Sequence, residues 1–294
     1  MRVVILAARP GWHTAELCRA LAEQGGTGVV VPYEGLVARL GSEADTGLRS
    51  GATSIDDADA VLPRIIPAGS LEQIIFRVDA LHRLDDRGQV VINTPGAIER
   101  TVDKFWTSAL LEQAGLPVPT TVVCEQPDEA LAAFRTLGDV IIKPLFGSMG
   151  LGMVRVSDAE MAFRVSRTLE AIRGVYYLQR AIDHDGADVR AFVVGDRVVG
   201  AIERRAPSWR TNIARGGRAT PLTLPSAWSD LALRAARAVG ADYAGVDLLP
   251  ARDGTVYVVE VNGIPGWRGL QEATSTDVAA AIVDHLRTRL ARRS

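Results

Sequence analysis

The sequence predicts an α/β protein, with an open parallel sheet in its N-terminal part and α+β segments after it. Over residues 1–95, short runs rich in Val and Ile alternate with helical patterns, which is typical of a parallel sheet with crossover helices. Further along, apolar strands flank tight turns such as Gly195-Asp196, which indicates antiparallel hairpins. The chain has 294 residues, 47% of them hydrophobic, enough for a substantial core in two or three subdomains.

The N-terminal part is predicted to contain four strands and two helices. The strands are "RVVILAA", "TGVVVPY", "ADAVLPRII" and "QVVIN", and the helices are "TAELCRALAEQ" and "SLEQIIFRVDALHRLDDRG". The first apolar run is short and a helical pattern follows it, so we interpret it as a strand and not as a signal peptide. No G-x-G-x-x-G motif follows this strand, so a dinucleotide-binding role is poorly supported.

The rest of the chain is predicted to start with one long helix, "TPGAIERTVDKFWTSALLEQ", which ends at Gly115. A strand "TTVVC", a helix "PDEALAAFRTLG" and a strand–turn–strand unit "VIIKPLFGSMGLGMVRV" follow. The C-terminal part reads as the strand "VYYLQRAI", the hairpin "DVRAFVVGDRVVGAIERRA", the helix "SDLALRAARAVG", the hairpin "YAGVDLLPARDGTVYVVEVN" and the helix "TDVAAAIVDHLRTRL".

Charge and cysteine content exclude some classes of function. The net charge of −2 gives no general reason to expect nucleic acid as a partner, and no apolar run is long enough to cross a membrane. Cys18 and Cys124 form neither a disulfide framework nor a zinc motif, so we expect a cytoplasmic protein.

Lysine is rare in this chain, which has 33 basic residues. Only Lys104 and Lys143 are lysines, and all the others are arginines. A genome-level preference for arginine codons, with chance survival of two lysines, is one explanation. A site that requires a compact, flexible charge is the other, because the planar guanidinium group cannot replace it. We favour a functional role for both lysines.

A glycine-rich turn follows Lys143 and contains Gly147, Ser148, Gly150 and Gly152. Glycines between two strands allow backbone N–H groups to turn toward an anion, and a lysine before the turn adds positive charge. The turn is neither a P-loop nor a G-x-S-x-G motif. An ordinary glycine-rich hairpin remains the alternative.

Three oxygen-bearing side chains lie near one another in the last predicted hairpin. A turn at residues 252–254 brings Asp247 within cross-strand reach of Glu260 and Asn262, and the latter two share a face of their strand. Oxygen ligands of this kind suit Mg²⁺, which also binds nucleotide phosphates. The alternative is a set of solvent-facing polar residues on a half-buried sheet.

The segment "AIERRAPSWRTNIARGGRAT" is strongly basic, with Glu203 as its one acid. Its guanidinium groups are suited to bidentate binding of phosphate or carboxylate, although a basic surface patch would have the same composition. They belong to Arg204, Arg205, Arg210, Arg215 and Arg218. The histidines show no metal-ligand spacing, and we interpret each as structural or surface: His13, His82, His184 and His285.

In combination, these motifs resemble the ATP-grasp fold. The order is Lys104, "KPLFGSMGLG", "DVRAFVVG", "TNIARGGRA", Asp247 and "EVN". More narrowly they are similar to the RimK/LysX branch of carboxylate–amine ligases. "IIKPLFGSMG" and "EVNGIPGWRGLQ" most resemble the tetrahydromethanopterin α-L-glutamate ligases, whereas "SWRTNIARGGRA" is equally close to LysX-type enzymes. The resemblance runs from about Asn93 to the C-terminus.

The resemblance implies three parts. Residues 1–95 would be an N-terminal α/β pre-ATP-grasp domain, 96–180 the small lobe with the glycine-rich loop, and 181–294 the large lobe with the metal site.

The resemblance also implies roles for particular residues. Those expected to contact ATP are Lys104, Lys143, Gly147, Ser148, Gly150, the hinge Gln179, Arg180, Ala181 and Ile182, and then Asp188 at the ribose and Arg190 on the phosphate side. Arg180 and Ala181 depart from the family pattern, which has Glu and an aromatic residue there, and backbone contacts to adenine survive that change.

The remaining implied roles concern metal, catalysis and substrate. Asp247, Glu260 and Asn262 would hold two Mg²⁺ ions, with Mn²⁺ as a possible replacement. The residues expected at the reacting phosphate are Lys143, Arg210 and Asn212, and those expected at the substrate carboxylate are Arg204, Arg205 and Arg215.

The implied function is ATP-dependent amide formation through an acyl phosphate, with L-glutamate as the amine. The acceptor would be a small-molecule carboxylate such as a tetrahydromethanopterin- or methanofuran-type cofactor. Alternatives are a LysX-type ligase acting on an α-aminoadipate amine and RimK-type protein glutamylation. A kinase or an ATP-binding sensor are options from other classes, although the H-R-D and D-F-G motifs of protein kinases are absent. We expect a homo-oligomer with no nucleic-acid or membrane partner.

Overall fold

The computed structural model describes residues 1–41, 46–147, 150–206 and 218–292. The first sheet is parallel, has the strand order β2-β1-β6-β7, and confirms the predicted N-terminal architecture. Its strands are β1 (Arg2–Ala7), β2 (Thr27–Pro32), β6 (Ala60–Pro63) and β7 (Val90–Val91). Strands β1 and β6 are buried along almost their whole length, as expected for a parallel sheet covered on both faces.

Two helices connect the strands of this sheet. They are α1 (Trp12–Glu23) and α2 (Leu71–Asp86). A capping box starts α2, since the Ser70 hydroxyl accepts from the Gln73 N–H and the Gln73 side chain accepts from the Ser70 N–H.

A small antiparallel sheet between β2 and β6 was not predicted. It consists of β3 (Leu36–Arg39), β4 (Gly47–Ser50) and β5 (Thr53–Ser54). Its strands are short and partly polar, so they lack the apolar alternation by which longer strands are recognised.

The prediction of one long helix before Gly115 is wrong. The structure has two helices there, α3 (Pro95–Val102) and α4 (Lys104–Gln113). Asp103 separates them: its backbone is extended, and its carboxylate accepts from the N–H groups of Phe105 and Trp106. Aspartate at this position is a strong N-cap, and it makes Lys104 the first residue of a new helix.

The second sheet has the order β10-β9-β11-β8, and all its neighbouring pairs are antiparallel. Its strands are β8 (Thr121–Cys124), β9 (Val140–Lys143), β10 (Val154–Val156) and β11 (Tyr176–Arg180). The predicted unit of strand, glycine-rich turn and return strand is confirmed as β9–β10. Two helices pack together on this sheet: α5 (Pro127–Leu137), which was predicted, and α6 (Ala159–Ala171), which was not.

The third sheet has the order β14-β13-β12-β15-β16. Its strands are β12 (Ala187–Val194), β13 (Arg197–Arg205), β14 (Arg218–Pro221), β15 (Tyr243–Pro250) and β16 (Val256–Asn262). Both predicted hairpins are confirmed as β12–β13 and β15–β16. Helix α7 (Ser226–Ala238) covers one face, together with residues of α4.

The chain ends by returning to the first sheet. Helix α8 (Arg268–Thr274) and helix α9 (Val278–Ala291) follow β16. Ile282 and Leu286 of α9 share one buried cluster with Leu17 and Leu21 of α1, and Phe192 of the third sheet belongs to the same cluster. The first and third sheets therefore share a continuous core. Among the described residues, no helix has the length and apolar character needed to cross a membrane.

Candidate active site

A cavity of about 120 Å³ lies where the second sheet, the third sheet and α4 meet. The residues singled out from the sequence that line it are Lys104, Lys143, Gly147, Gly150, Gln179, Arg180, Ile182, Asp188, Asp247 and Glu260. Predicted residues that do not line it are Ala181, Arg190, Arg204, Arg205 and Asn262. Four further predicted residues lie outside the described residues: Ser148, Arg210, Asn212 and Arg215.

Both lysines of the chain point their charges into this region. Lys143 ends β9, and its ammonium group donates to the Gln179 side-chain oxygen at 2.6 Å. Lys104 begins α4 and donates to the Gly147 carbonyl at 2.8 Å. Burial lowers the pKa of both ammonium groups, that of Lys143 to about 8. Two desolvated cations beside a glycine-rich turn form a suitable environment for phosphate.

A neutral network holds Lys143. The Gln179 amide nitrogen donates to the Thr121 hydroxyl at 3.1 Å and to the Tyr177 hydroxyl at 3.3 Å. Ser108 of α4 lies 2.8 Å from the same tyrosine oxygen. Because the group that accepts from Lys143 is an amide and not a carboxylate, the positive charge of the lysine is not neutralised by this contact.

The two acids face each other across the last hairpin. Asp247 on β15 pairs directly with Glu260 on β16, and Gly245 pairs with Asn262. A β-bulge between Asp247 and Leu248 shifts the register by one residue and brings Glu260, not Val259, opposite Asp247. Directly opposed residues share one face of a sheet, so both carboxylates point to the cavity side.

Asp247 is held by two arginines. Arg190 donates to both of its carboxylate oxygens at 2.7 Å, and Arg204 lies 3.0 Å from one of them. Burial alone would raise the pKa of the Asp247 carboxyl, but the two guanidinium groups outweigh it and lower this pKa to about 2. Asp247 is therefore a fixed and permanently charged group near neutral pH.

Arg204 also binds Asp188 in bidentate fashion, with both distances at 2.6 Å, and is only 4% exposed. Both described arginines that were predicted to hold a substrate carboxylate already have acid partners, because Arg205 binds Glu203 on the surface. A role for Asp188 at the ribose would likewise require its oxygens to accept bonds in addition to those from Arg204.

The hinge after β11 has few free backbone donors. The Arg180 N–H donates to the Thr120 carbonyl, and the Ala181 N–H donates to the Asp139 carbonyl, both at 2.9 Å. The Ile182 N–H donates to no group among the described residues, so this donor is left to contact an adenine ring.

A hard cation would fit the acid pair. The Glu260 carboxylate makes no hydrogen bond or ion pair within the described part of the chain, so it is available as a ligand. Its negative charge opposes the lowering of the pKa of both lysines. The Asn262 side-chain oxygen accepts from the Ile264 N–H at 3.0 Å, which orients the amide. The described residues contain no group of three or more His, Cys, Asp or Glu arranged for a metal, which agrees with a site of two acids and an amide that shares its ions with a ligand.

Tyr177 and His184 are two of the cavity-lining residues that sequence reasoning did not predict as site residues. Tyr177 lies two positions before Gln179 on β11, so strand alternation places it on the same face, and this signal was available. His184 follows the hinge, and its buried Nδ1 has no hydrogen-bond partner. Nothing in its spacing distinguished it from the other histidines.

Comparisons with known proteins agree with this architecture. Residues 101–286 match the model of the RimK-like ATP-grasp domain. The tetrahydromethanopterin:alpha-L-glutamate ligase of Methanosarcina acetivorans is 36% identical over 85% of this chain and 86% of its own length. The enzyme of the same name from Methanococcus maripaludis is 33% identical over 97% of both. The ATP-grasp ligase PsnB, solved with a precursor variant, Mg and ADP, superimposes with a TM-score of 0.75 over 98% of both chains at 23% identity, which supports the fold.

Proposed function

Since the chain belongs to the RimK-like ATP-grasp family, we propose that it joins L-glutamate to a small-molecule acceptor through an acyl-phosphate intermediate. Membership makes the protein an ATP-dependent ligase that forms amide bonds, with the ATP and Mg²⁺ requirement typical of the fold. The observation that carries the proposal is the convergence of Lys104, Lys143, Asp247 and Glu260 on one cavity.

In the proposed reaction, an oxygen of the acceptor carboxylate attacks the γ-phosphorus of ATP, and the bond to ADP breaks. The glutamate amine then attacks the acyl phosphate carbon, loses a proton and expels inorganic phosphate, which leaves an amide. Lys104 and Lys143 offset the negative charge of the phosphates, and the neutral Gln179 contact keeps Lys143 available for this.

Asp247, Glu260 and Asn262 would hold the metal, and we propose two Mg²⁺ ions. Bound there, Mg²⁺ supplies charge neutralisation at the phosphate oxygens. The hinge at residues 179–182 would hold adenine through its carbonyls and the Ile182 N–H, because two other hinge N–H groups are used within the sheet. Arg210, Asn212, Arg215 and Ser148 keep their proposed roles from the family resemblance.

A pterin-type acceptor is favoured because two relatives at 33% and 36% identity carry the name tetrahydromethanopterin:alpha-L-glutamate ligase. A methanofuran-type acceptor, an α-aminoadipate amine or a protein tail are the alternatives. Cys18 and Cys124 are both free, which supports the proposed cytoplasmic location. A homo-oligomer remains part of the proposal.

The test is ADP formation with Mg²⁺-ATP and L-glutamate against pterin, furan, aminoadipyl and peptide acceptors, with mass spectrometry of each mixture. We expect ADP, free phosphate and a gain of one glutamyl residue on a pterin-type acceptor. A phosphorylated product without amide formation would contradict the proposal and indicate a kinase. Glutamylation of a peptide alone would replace the small-molecule acceptor by a protein.

A further inference from the structure

The side chain of Asn93 makes four hydrogen bonds, and they join the N-terminal domain to both strands of the last hairpin. Asn93 follows β7 at the edge of the first sheet and is 1% exposed. An asparagine amide has two N–H donors and two acceptor positions on its oxygen, so its whole hydrogen-bonding capacity is used here. A polar group that is buried and fully satisfied holds its partners in one arrangement.

The amide of Asn93 binds the start of β15 through both of its ends. Its oxygen accepts from the Asp242 N–H at 2.6 Å and from the Tyr243 N–H at 3.0 Å. Its nitrogen donates to the Tyr243 carbonyl at 2.8 Å. The first residue of β15 is therefore tied to the N-terminal domain by both of its backbone groups, and Asp247 lies further along the same strand.

The nitrogen of Asn93 also reaches the end of β16, where it donates to the Gly263 carbonyl at 2.5 Å. This oxygen belongs to the peptide group between Gly263 and Ile264. The N–H of the same peptide group donates to the Asn262 side-chain oxygen at 3.0 Å. Because a peptide group is planar, holding its oxygen also fixes the direction of its N–H. Asn93 thus orients the Asn262 side chain through one peptide group.

Thr101 restricts the same peptide segment from a second side. A Cβ atom on Gly263 would overlap with the Thr101 hydroxyl oxygen, so the backbone of Gly263 packs directly against this side chain. Thr101 lies on α3, which begins shortly after Asn93, and it lines the cavity. The turn after β16 is therefore held between two residues of one short segment.

The end of the hairpin that Asn93 holds is next to the proposed metal ligands. Gly245 pairs with Asn262, and the next pair on the same face is Asp247 with Glu260. Asn93 binds backbone groups just before Gly245 and just after Asn262. One side chain therefore sets the spacing of the two strands beside the acid pair.

We propose that Asn93 is a positioning residue for the metal ligands, which holds the ends of β15 and β16 together and directs the Asn262 oxygen toward the cation. The inference rests on the proposed function, in which Asn262 binds Mg²⁺ together with Asp247 and Glu260. Removal of a group that orients a metal ligand typically lowers metal affinity by about 10- to 100-fold. Because Asn93 acts through Asn262, its loss should appear in the metal dependence of nucleotide binding.

The test compares Asn93→Ala and Asn93→Asp with Gln89→Ala. Gln89 is the matched control, because its amide also donates to two backbone carbonyls from the N-terminal domain, at 2.9 Å to Ile55 and 2.6 Å to Ala58. The carboxylate of Asn93→Asp can still accept from the two N–H groups at the start of β15 but cannot donate to Gly263. This variant therefore removes the link to β16 while the N–H bonds of β15 remain.

The first measurement is calorimetric titration of ADP at a series of Mg²⁺ concentrations and without Mg²⁺. We expect both Asn93 variants to need about 10- to 100-fold more Mg²⁺ for half-maximal ADP binding, with affinity for metal-free ADP within about twofold of wild type. Gln89→Ala should match wild type in both. An unchanged Mg²⁺ requirement in a folded Asn93 variant, or an equal loss of affinity with and without Mg²⁺, would overturn the inference and leave the ligase function intact.

Hydrogen exchange of the protein without metal or nucleotide is the independent measurement. We expect the amides of residues 262–266 to exchange at least about tenfold faster in both Asn93 variants than in wild type or Gln89→Ala. Equal exchange in all four proteins would contradict the inference even if no nucleotide binds. Failure of the wild type to bind Mg²⁺-ADP would instead contradict the proposed function.

Discussion

The second and third sheets both have cationic side chains beside the cavity, but among the described residues only those of the third sheet are paired with carboxylates. In the second sheet, the partly buried Lys143 donates to the neutral amide of Gln179. In the third sheet, Arg190 and Arg204 are bound by Asp247 and Asp188 at 2.6 to 3.0 Å. One side of the cavity thus keeps unneutralised positive charge, whereas the other cancels it.

This difference assigns separate tasks to the two sheets. The paired arginines hold Asp247 in one orientation and in its charged form, which suits a fixed metal ligand. Both lysines have lost hydration without gaining a hydrogen-bonded or ion-paired acid among the described residues, although the charge of Glu260 attracts them, so a phosphate group would recover much of the cost of burying them. Pre-organised charge of this kind is a common source of catalytic power in phosphoryl transfer.

The largest effect is expected from Glu260→Gln. Loss of this free carboxylate should lower kcat by at least about 100-fold, because metal held between the acids would no longer offset the phosphate charge. The thermal unfolding midpoint should stay close to the wild-type value, since the Glu260 carboxylate makes no hydrogen bond or ion pair in the described part of the chain and the backbone pairing of Glu260 is unchanged. Glu203→Gln, the same change on the surface of the same sheet, is the control. Near-normal turnover of Glu260→Gln would contradict the metal assignment.

The next effect concerns stability. Arg204→Met removes a buried positive charge that pairs with the carboxylates of Asp188 and Asp247. It should lower the free energy of unfolding by about 3–5 kcal/mol, measured by denaturant titration. Arg205→Met, which removes an exposed partner of Glu203, should leave it essentially unchanged. Equal stability of the two variants would mean that the buried network does not hold the third sheet together.

The third prediction concerns how protein stability and nucleotide affinity depend on pH through Lys143. Lys143 has a pKa of about 8 when folded against an ordinary value of 10.5, so between these values the unfolded chain binds more protons. Stability of the nucleotide-free protein should therefore rise with pH across this window, whereas affinity for Mg²⁺-ADP should fall, by up to about tenfold per pH unit above 8. Lys143→Met should flatten both profiles. Parallel profiles for wild type and variant would show that Lys143 does not titrate there.

The smallest effect is expected from a variant that gives the lysine of the second sheet an acid partner, as the arginines of the third sheet have. Gln179→Glu would give Lys143 an acid partner like those of the arginines, raise its pKa and compete with phosphate. KM for ATP should increase by about 3- to 10-fold with little loss of stability, measured by steady-state ADP formation. A lower KM would mean that the neutral amide is not what keeps Lys143 available.

The sequence predicted which residues lie at this site better than it predicted which of them pair with one another. The rarity of lysine pointed to Lys104 and Lys143, and the structure brings both to one cavity. The position of the hairpin turn predicted that Asp247 lies near Glu260, which is confirmed. Their direct pairing depends on a β-bulge, and no residue of the turn predicts this bulge.

A second bulge explains the network that sequence reasoning did not foresee. Counting back from the Gly195-Asp196 turn places Asp188 opposite Glu203, which would be an unfavourable pair of acids. The register shift between Phe192 and Val193 instead places Arg204 opposite Asp188. Such a shift is decided by packing and ion pairing across the sheet, so local patterns do not reveal it.

The helix break at Asp103 had a readable signal, because aspartate is a strong N-cap. The helical pattern on both sides concealed it. The small sheet of β3–β5 and helix α6 were missed because their segments are short or polar. Their apolar patterns are too weak to distinguish them from loops. None of these misses changes the location of the cavity, which the longer strands determine.

The most direct test of the account is a calorimetric titration of Mg²⁺-ADP into wild type, Lys143→Met and Arg205→Met. The unpaired lysine should carry phosphate binding, so Lys143→Met is expected to weaken affinity by at least about tenfold while Arg205→Met binds like wild type. Equal affinity of all three proteins would contradict the claim that Lys143, the lysine of the second sheet without an acid partner, binds the nucleotide phosphates.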